Sequence, residues 1–158
     1  DGLPMGTRTG QLDPGVLLYL MDQEGMSSHD ITELLYKKSG LLGMSGVSND
    51  MRTLEQSDNP HAAEAIDYFT FRIRRELGAL AAALGGLDAL VFCGGIGENS
   101  AHIRARVCEG MDWFGVAVDP EKNAANARHI GAGKVEVMVI PTNEEIVIAR
   151  AAKAFLDA

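Results

Sequence analysis

The spacing of apolar positions predicts a chain that is mostly helical, with strands confined to its second half. Apolar residues three and four positions apart, bracketed by capping residues and glycines, predict helices at 14–21, 28–39, 60–84, 100–109, 120–128 and 146–155. Continuous apolar runs predict buried strands at 87–93 and 135–140, with room for a short one at 116–118. Strands that alternate with helices indicate an α/β fold with some parallel pairing.

The strand at 87–93 runs directly into a glycine-rich turn that opens the next helix. Gly94, Gly95 and Gly97 lack the Cβ atoms that would keep a ligand away from the backbone, and Glu98 places a polar group beside them. A helix start of this kind suits an anionic or nucleotide ligand. An ordinary tight corner is the alternative, and a dinucleotide-binding turn is disfavoured because Ser100 stands where its third glycine belongs.

A second glycine-bearing loop, at 5–10, carries an arginine that packing does not require. Arg8 lies between Thr7 and Thr9, and its guanidinium suits carboxylate or phosphate oxygens. The alternative is a surface ion pair with Asp13.

The segment at 40–52 is expected to be a glycine- and serine-rich loop. Its hydroxyl groups and its Asp–Arg pair suit a ribose and phosphates; the polar residues are Ser45, Ser48, Asn49, Asp50 and Arg52. The alternative is that Ser48 or Asn49 simply caps a short helix.

Two neighbouring carboxylates follow the last strand, at the start of the final helix. Glu144 and Glu145 are favoured there by the helix dipole alone. A carboxylate at the carboxyl end of a strand also suits a Mg²⁺ ion that keeps most of its waters. The four histidines show no metal-ligand spacing and receive no role.

Composition and charge narrow the possible functions. With 158 residues, 46% of them apolar, the chain suits one compact domain with a substantial core. The net charge of −8 argues against a nucleic-acid partner, and no apolar stretch is long enough to span a membrane. Two cysteines, Cys93 and Cys108, are expected to be reduced thiols, which favours the cytoplasm.

Taken together, four segments resemble the acetate kinase (acetokinase) family, specifically its C-terminal half. The segments occur in that family's order: MGTRTGQLDPG at 5–15, SGLLGMSGVSNDMR at 39–52, GGIGENS at 94–100 and IPTNEE at 140–145. Two positions depart from the family's pattern, because Gln11 replaces an acidic residue and Cys93 replaces a threonine. The resemblance covers nearly the whole chain.

The resemblance implies both a fold and an activity. The fold is an actin-like ATPase or RNase H-like α/β domain of the acetate and sugar kinase superfamily, a mixed sheet flanked by helices. Residues 1–158 would be a single C-terminal, nucleotide-binding domain of a two-domain kinase, with the N-terminal domain outside this chain. The activity is reversible, Mg²⁺-dependent transfer of a phosphoryl group between ATP and acetate by direct in-line transfer, giving ADP and acetyl phosphate.

The resemblance also implies roles for individual residues. Arg8 would be catalytic, Asp50, Met51 and Arg52 would bind nucleotide, and Glu144 would hold Mg²⁺ or Mn²⁺. The glycine segment, Gly94, Gly95, Ile96, Gly97 and Glu98, would line the adenosine. The complete enzyme would be a homodimer, and the 158-residue chain alone would be inactive. A propionate or other short-chain carboxylate kinase and a non-catalytic nucleotide-binding module are the alternatives.

Overall fold

The computed structural model describes residues 2–157, which divide into two compact units. The first unit ends at Ala83 and the second begins at Leu84. The expected mixture of helices and strands is confirmed, with all of the strands in the second unit.

The first unit is helical. Its helices are α1 (Pro14–Asp22), α2 (Ser28–Lys37), α3 (Gly40–Ser45), α4 (Met51–Glu55) and α5 (Pro60–Leu84). The core is formed mainly by one face of α5 and by the short helices, through Ile31, Leu41, Met51, Leu54, Ala62, Ala65, Ile66 and Phe69.

Capping side chains begin the first two helices as the sequence predicts. The Asp13 carboxylate accepts a hydrogen bond from the Gly15 amide at 2.7 Å, and Pro14 is the first helical residue. At α2, Ser27 and Asp30 form a reciprocal capping box. The predicted helix at 60–84 is also confirmed, with the same ends as α5.

The second unit is built on a pair of parallel strands, β1 (Ala89–Phe92) and β2 (Glu136–Val139). Ala89 is opposite Glu136, and Phe92 is opposite Val139. The helices are α6 (Gly94–Asn99), α7 (Ala101–Cys108), α8 (Pro120–Ala124) and α9 (Glu145–Leu156), with a 3₁₀ turn at Asp112–Phe114. Parallel pairing directs both strands toward the same edge, where α6 and the segment before α9 begin.

The core of the second unit lies on the strands and α7. It contains Leu90, Ile103, Val107, Val116, Ile130, Val135, Val137 and Val139. By contrast, α9 buries none of its residues. No helix within residues 2–157 is both long and apolar enough to cross a bilayer.

Three local predictions were wrong. The predicted loop at 40–52 contains α3 and the start of α4, because Leu41 and Met51 are buried and draw the backbone into helical turns. The glycine turn at 94–97 is the first part of α6. The short strand at 116–118 is reduced to one bridge between Val118 and Gly131.

Candidate functional site

The loop that carries Arg8 is bonded along its length to the junction of α2 and α3. Leu41 donates its amide to the Met5 carbonyl at 3.0 Å, and Ser39 donates to the Thr7 carbonyl at 3.0 Å. Thr9 in turn donates to the Leu35 carbonyl at 3.2 Å. The loop is therefore ordered by backbone hydrogen bonds on both sides of Arg8, although it has no regular secondary structure.

Arg8 itself projects from this ordered loop into solvent. Its guanidinium lies over the ring of Tyr36, 5.5 Å from the centroid. The alternative of an ion pair with Asp13 is not what the structure shows, since that carboxylate caps α1. Within residues 2–157, no carboxylate lies at ion-pair distance from Arg8. The exposed guanidinium is thus available to an external anion.

Two glycines allow this loop to pack closely on its neighbours. Gly40 has φ +61°, and a Cβ there would lie 2.1 Å from the Met5 carbonyl oxygen and 2.8 Å from that of Arg8. A Cβ on Gly6 would lie 2.9 Å from the Asn49 carbonyl oxygen. The Arg8 loop therefore touches both the start of α3 and the residue before Asp50.

Asp50 begins α4 as its capping residue. One carboxylate oxygen accepts from the amides of Arg52 at 2.8 Å and Thr53 at 3.2 Å, and the other lies 3.2 Å from the Arg52 guanidinium. The side-chain hydrogen bond from Arg52, followed by the backbone bonds, lowers the pKa of Asp50. The alternative that Ser48 or Asn49 caps a short helix is not what the structure shows, since the capping residue of α4 is Asp50.

The other members of this segment divide between core and surface. Met51 is buried, so its side chain belongs to the core, whereas the Arg52 side chain is exposed. The Ser45 hydroxyl accepts a hydrogen bond from the Val47 amide at 3.0 Å, and the Ser48 hydroxyl accepts one from the Asp50 amide at 3.0 Å. These hydroxyls shape the loop.

The predicted glycine segment begins α6 immediately after β1. Gly94 has φ +71°, and Cβ atoms built on Gly94 or Gly95 would meet nothing within 4 Å. Packing inside the chain therefore does not explain why glycine stands at these two positions, although the positive φ favours it at Gly94. The open space leaves the backbone accessible to a ligand.

Glu98 is engaged within the protein rather than projecting freely. Its Oε1 accepts from the Gly94 amide at 2.7 Å, the Thr142 amide at 2.8 Å and the Thr142 hydroxyl at 2.6 Å. The side-chain and backbone hydrogen bonds from Thr142 lower the pKa of Glu98. Sequence reasoning missed Thr142, because nothing in the local pattern reveals a bond across 44 residues.

The carboxyl end of α6 is held by a buried arginine that sequence reasoning also missed. Arg104, 1% exposed, donates Nη1 to the carbonyls of Gly97 at 2.9 Å and Glu98 at 3.0 Å. Its Nε and Nη2 bind the side-chain and backbone oxygens of Asn123 at 2.7 and 3.0 Å. Burial lowers the pKa of Arg104. The only sequence signal is a charged residue on the apolar face of α7.

Glu144 lies in the exposed segment between β2 and α9. It makes no side-chain cap, and Asn143 instead accepts the Ile146 amide at 3.1 Å. Among the described residues, no group of three or more His, Cys, Asp or Glu side chains converges as a metal site would. A metal at Glu144 would therefore take most of its ligands from water and substrate.

The side chain of Gln11 binds two arginines of α5. Its Oε1 accepts from Arg72 at 3.4 Å and from Arg75. Arg72 is 6% exposed, and its Nε has no hydrogen-bond partner in the described part of the chain. A neutral amide thus faces two cations at the site where the resemblance predicts an acid.

The structure brings the predicted residues together in two groups. Arg8, Asp50 and Arg52 belong to the first unit, where Gly6 and Asn49 join their segments. The glycine segment and Glu144 belong to the second, where Glu98 and Thr142 join theirs. The first group supplies cationic donors, and the second supplies open backbone and a free carboxylate.

Comparison with known proteins gives one consistent family. The sequence profile of the Acetokinase family matches residues 1–150. Acetate kinase of Methylocella silvestris is 62% identical over 99% of this chain, and that of Rhodopseudomonas palustris is 59% identical over 95%. The chain spans 39% of the length of each of these relatives.

Solved structures agree with the sequence relatives. The acetate kinase of Porphyromonas gingivalis matches 99% of this chain with a TM-score of 0.91 and 44% identity. A propionate kinase of Francisella tularensis matches 95% with a TM-score of 0.89 and 41% identity. The chain covers 41% and 40% of these two structures, respectively.

Proposed function

Because this chain belongs to the acetokinase family, we propose that it is the C-terminal, nucleotide-binding domain of an acetate kinase. The complete enzyme would transfer a phosphoryl group reversibly between ATP and acetate by direct in-line transfer, giving ADP and acetyl phosphate. The relatives from Methylocella silvestris and Rhodopseudomonas palustris carry the name acetate kinase. One observation carries the proposal: an exposed arginine, free of carboxylate partners within residues 2–157, stands on a loop ordered by backbone hydrogen bonds.

Arg8 would act on the phosphoryl group in transit. Phosphoryl transfer depends mainly on positioning and on positive charge near the oxygens over which negative charge spreads. Arg8 fits because its loop is already ordered and its planar guanidinium can bind two oxygens at once. Little reorganisation would be required when substrate binds.

Asp50, Met51 and Arg52 would contribute to nucleotide binding in different ways. The exposed guanidinium of Arg52 is the group that can pair with a phosphate. Asp50 holds that guanidinium at 3.2 Å and fixes the start of α4. Met51 would take part through its backbone, since its side chain belongs to the core.

In the second unit, the backbone at Gly94, Gly95, Ile96 and Gly97 would lie against the adenosine. The absence of side chains and the open space beside the first two glycines support this role. An adenine ring or a ribose approaches bare backbone more closely than a surface covered with side chains.

Glu144 would hold the Mg²⁺ ion that accompanies the nucleotide, with Mn²⁺ as a substitute. The donor chemistry fits, because Mg²⁺ prefers oxygen ligands and is commonly held by one or two carboxylates together with water and phosphate. When bound, the ion neutralises charge on phosphate oxygens. Glu144 itself would provide one oxygen from an exposed position at the start of α9.

The proposal extends to the assembly and location of the protein. The complete enzyme would be a cytoplasmic homodimer. The free thiols of Cys93 and Cys108 in this chain are in keeping with a reducing compartment. The 158-residue chain alone would bind ADP or ATP weakly without turnover. Formation of acetyl phosphate by the isolated chain would contradict this part of the proposal.

Replacement of Arg8 in the complete enzyme tests the assigned role. Arg8→Ala is expected to lower kcat by about 10³- to 10⁵-fold, with little change in the KM for ATP. Arg8→Lys should recover only part of the loss, because a lysine cannot bind two oxygens in a fixed plane. Arg128→Ala, at an exposed arginine outside the site, is the control. A near-normal kcat in Arg8→Ala would make Arg8 an ordinary surface residue.

Propionate is the alternative acceptor, favoured by the similarity to the Francisella propionate kinase. The ratio of kcat/KM for acetate to that for propionate decides between the two. One extra methylene in a fitted pocket changes such a ratio by roughly 10- to 200-fold. Absence of transfer to either acid, with nucleotide binding retained, would indicate a non-catalytic nucleotide-binding module.

A further inference from the structure

Glu98 connects the two segments that leave the parallel strands at their carboxyl ends. α6 begins two residues after β1, and Thr142 follows β2 by three residues. A single oxygen, Oε1 of Glu98, accepts hydrogen bonds from Gly94 at one segment and from both donors of Thr142 at the other. One side chain therefore fixes the distance between the glycine segment and the segment that leads to Glu144.

Within residues 2–157, the Glu98 carboxylate supplies the side-chain hydrogen bonds that join those two segments. Neither segment pairs with the other through a strand, since β1 and β2 end at Phe92 and Val139. The backbone bond from the Ile140 amide to the Phe92 carbonyl, 2.9 Å, is the last ladder contact before they diverge. Beyond it, the hydrogen bonds of Glu98 to Gly94 and Thr142 join the two segments.

We propose that Glu98 is a positioning residue for nucleotide binding, which sets the glycine segment and the Glu144 segment at a fixed separation. This inference rests on the proposed function. It differs from the expectation that Glu98 contacts the nucleotide, because the role rests on the three hydrogen bonds that Oε1 accepts from groups of the protein itself. Adenosine and the metal-bound phosphates are parts of one molecule, so both segments must be correctly spaced to hold it.

The chemistry of the side chain explains why a carboxylate suits this position. Three donors converge on one oxygen, and a negative charge strengthens all three bonds. A glutamine can accept the same bonds through its amide oxygen but without the charge. Glu98→Gln is therefore expected to be intermediate, and Glu98→Ala to release both segments.

The first measurement is amide hydrogen exchange in the complete enzyme without substrates, which needs no enzyme activity. Glu98→Ala should speed exchange of the Gly94 and Thr142 amides by about tenfold or more, since each loses a hydrogen bond to a charged group. Thr142→Val removes only the hydroxyl and should speed exchange at Gly94 less. Thr142→Ser keeps the hydroxyl and should resemble the parent chain.

The second measurement is the kinetics of the complete enzyme. Glu98→Ala should raise the KM for ATP by about tenfold or more, with the KM for acetate nearly unchanged. Thr142→Val should raise the KM for ATP less. The double variant should have the same KM for ATP as Glu98→Ala, because both changes break the same hydrogen-bonded link. Glu121→Gln, an exposed acid on α8 outside the site, is the control.

The outcomes separate this inference from the proposed function. A raised KM for ATP with unchanged amide exchange would make Glu98 a direct nucleotide ligand and overturn the inference. An unchanged KM in both Glu98→Ala and Thr142→Val would also overturn it. If the parent enzyme transfers no phosphoryl group, the proposed transfer activity fails, and the Kd for ATP of Glu98→Ala against that of the parent then decides the positioning role together with amide exchange. If Glu98→Ala does not fold, Thr142→Val and Thr142→Ser decide the matter.

Discussion

Gly40 allows the Arg8 loop to pack against α3, and its replacement by alanine should expose that dependence. The Cβ of Gly40→Ala would lie 2.1 Å from the Met5 carbonyl oxygen, which must retreat by about 0.9 Å to reach the 3.0 Å limit of real contacts. The same Cβ would lie 2.8 Å from the Arg8 carbonyl oxygen. Relief of the first contact weakens the hydrogen bond from Leu41 to Met5.

Gly46, at the other end of α3, provides a matched control. Its φ is +62°, almost the same as the +61° of Gly40, but a Cβ there would meet nothing within 4 Å. Alanine at either position costs about 1–2 kcal/mol for a left-handed conformation. Only Gly40→Ala adds a backbone overlap, worth about 1–3 kcal/mol. We expect a loss of about 2–5 kcal/mol for Gly40→Ala and about 1–2 kcal/mol for Gly46→Ala.

Urea unfolding of the two variants, followed by circular dichroism, measures this difference. The midpoint should fall further in Gly40→Ala while the m-value stays constant. In the complete enzyme, displacement of the Arg8 loop by about 1 Å should lower kcat by about 10²-fold, and Gly46→Ala should leave kcat nearly unchanged. Equal losses of stability in the two variants would refute the packing argument. A normal kcat in a folded Gly40→Ala would refute the link between this packing and Arg8.

Two further predictions concern other side chains. Gln11→Glu should stabilise the chain by about 1 kcal/mol, because a carboxylate would face Arg72 and Arg75; the urea midpoint should rise at pH 7, and this gain should disappear as acid protonates the new carboxyl. No gain at pH 7 would contradict it. Cys93 is exposed and should react with iodoacetamide in the folded chain, whereas burial raises the pKa of Cys108 to about 12 and should protect it until unfolding. Mass spectrometry of the labelled peptides checks this, and equal labelling would be inconsistent with the structure.

The sequence predicts the regular elements well where periodicity and capping agree. α5 has the ends that its apolar spacing and its proline indicate, and α1 and α2 begin at the predicted residues, where Asp13 and Ser27 cap them. The prediction of a loop at 40–52 was wrong because it rested on the glycine and serine content of the segment. The burial of Leu41 and Met51 favours helical turns there instead. Residue composition is a weak predictor of secondary structure where burial in the tertiary fold determines the backbone conformation.

The candidate site shows a similar division. Local sequence indicates residues whose chemistry does not suit packing, such as Arg8, or whose lack of a side chain leaves open space, such as Gly95. It does not indicate Thr142 or Asn123, because their roles depend on partners 44 and 19 residues away. Such partners become visible only in the folded chain, where the parallel strands bring Thr142 to Glu98 and the packing of α7 on α8 brings Asn123 to Arg104.

The connection between Arg104 and Asn123 has a consequence for the evolution of this domain. Arg104 directs four hydrogen bonds to Asn123, Gly97 and Glu98, while Asn123 donates to the Ala101 carbonyl at 2.8 Å. Loss of either side chain leaves buried polar groups of the other without hydrogen-bond partners. A single replacement should therefore lower the free energy of unfolding almost as much as a double one. Natural homologues should therefore change these two positions together or keep both, and a mismatched pair should be rare among them.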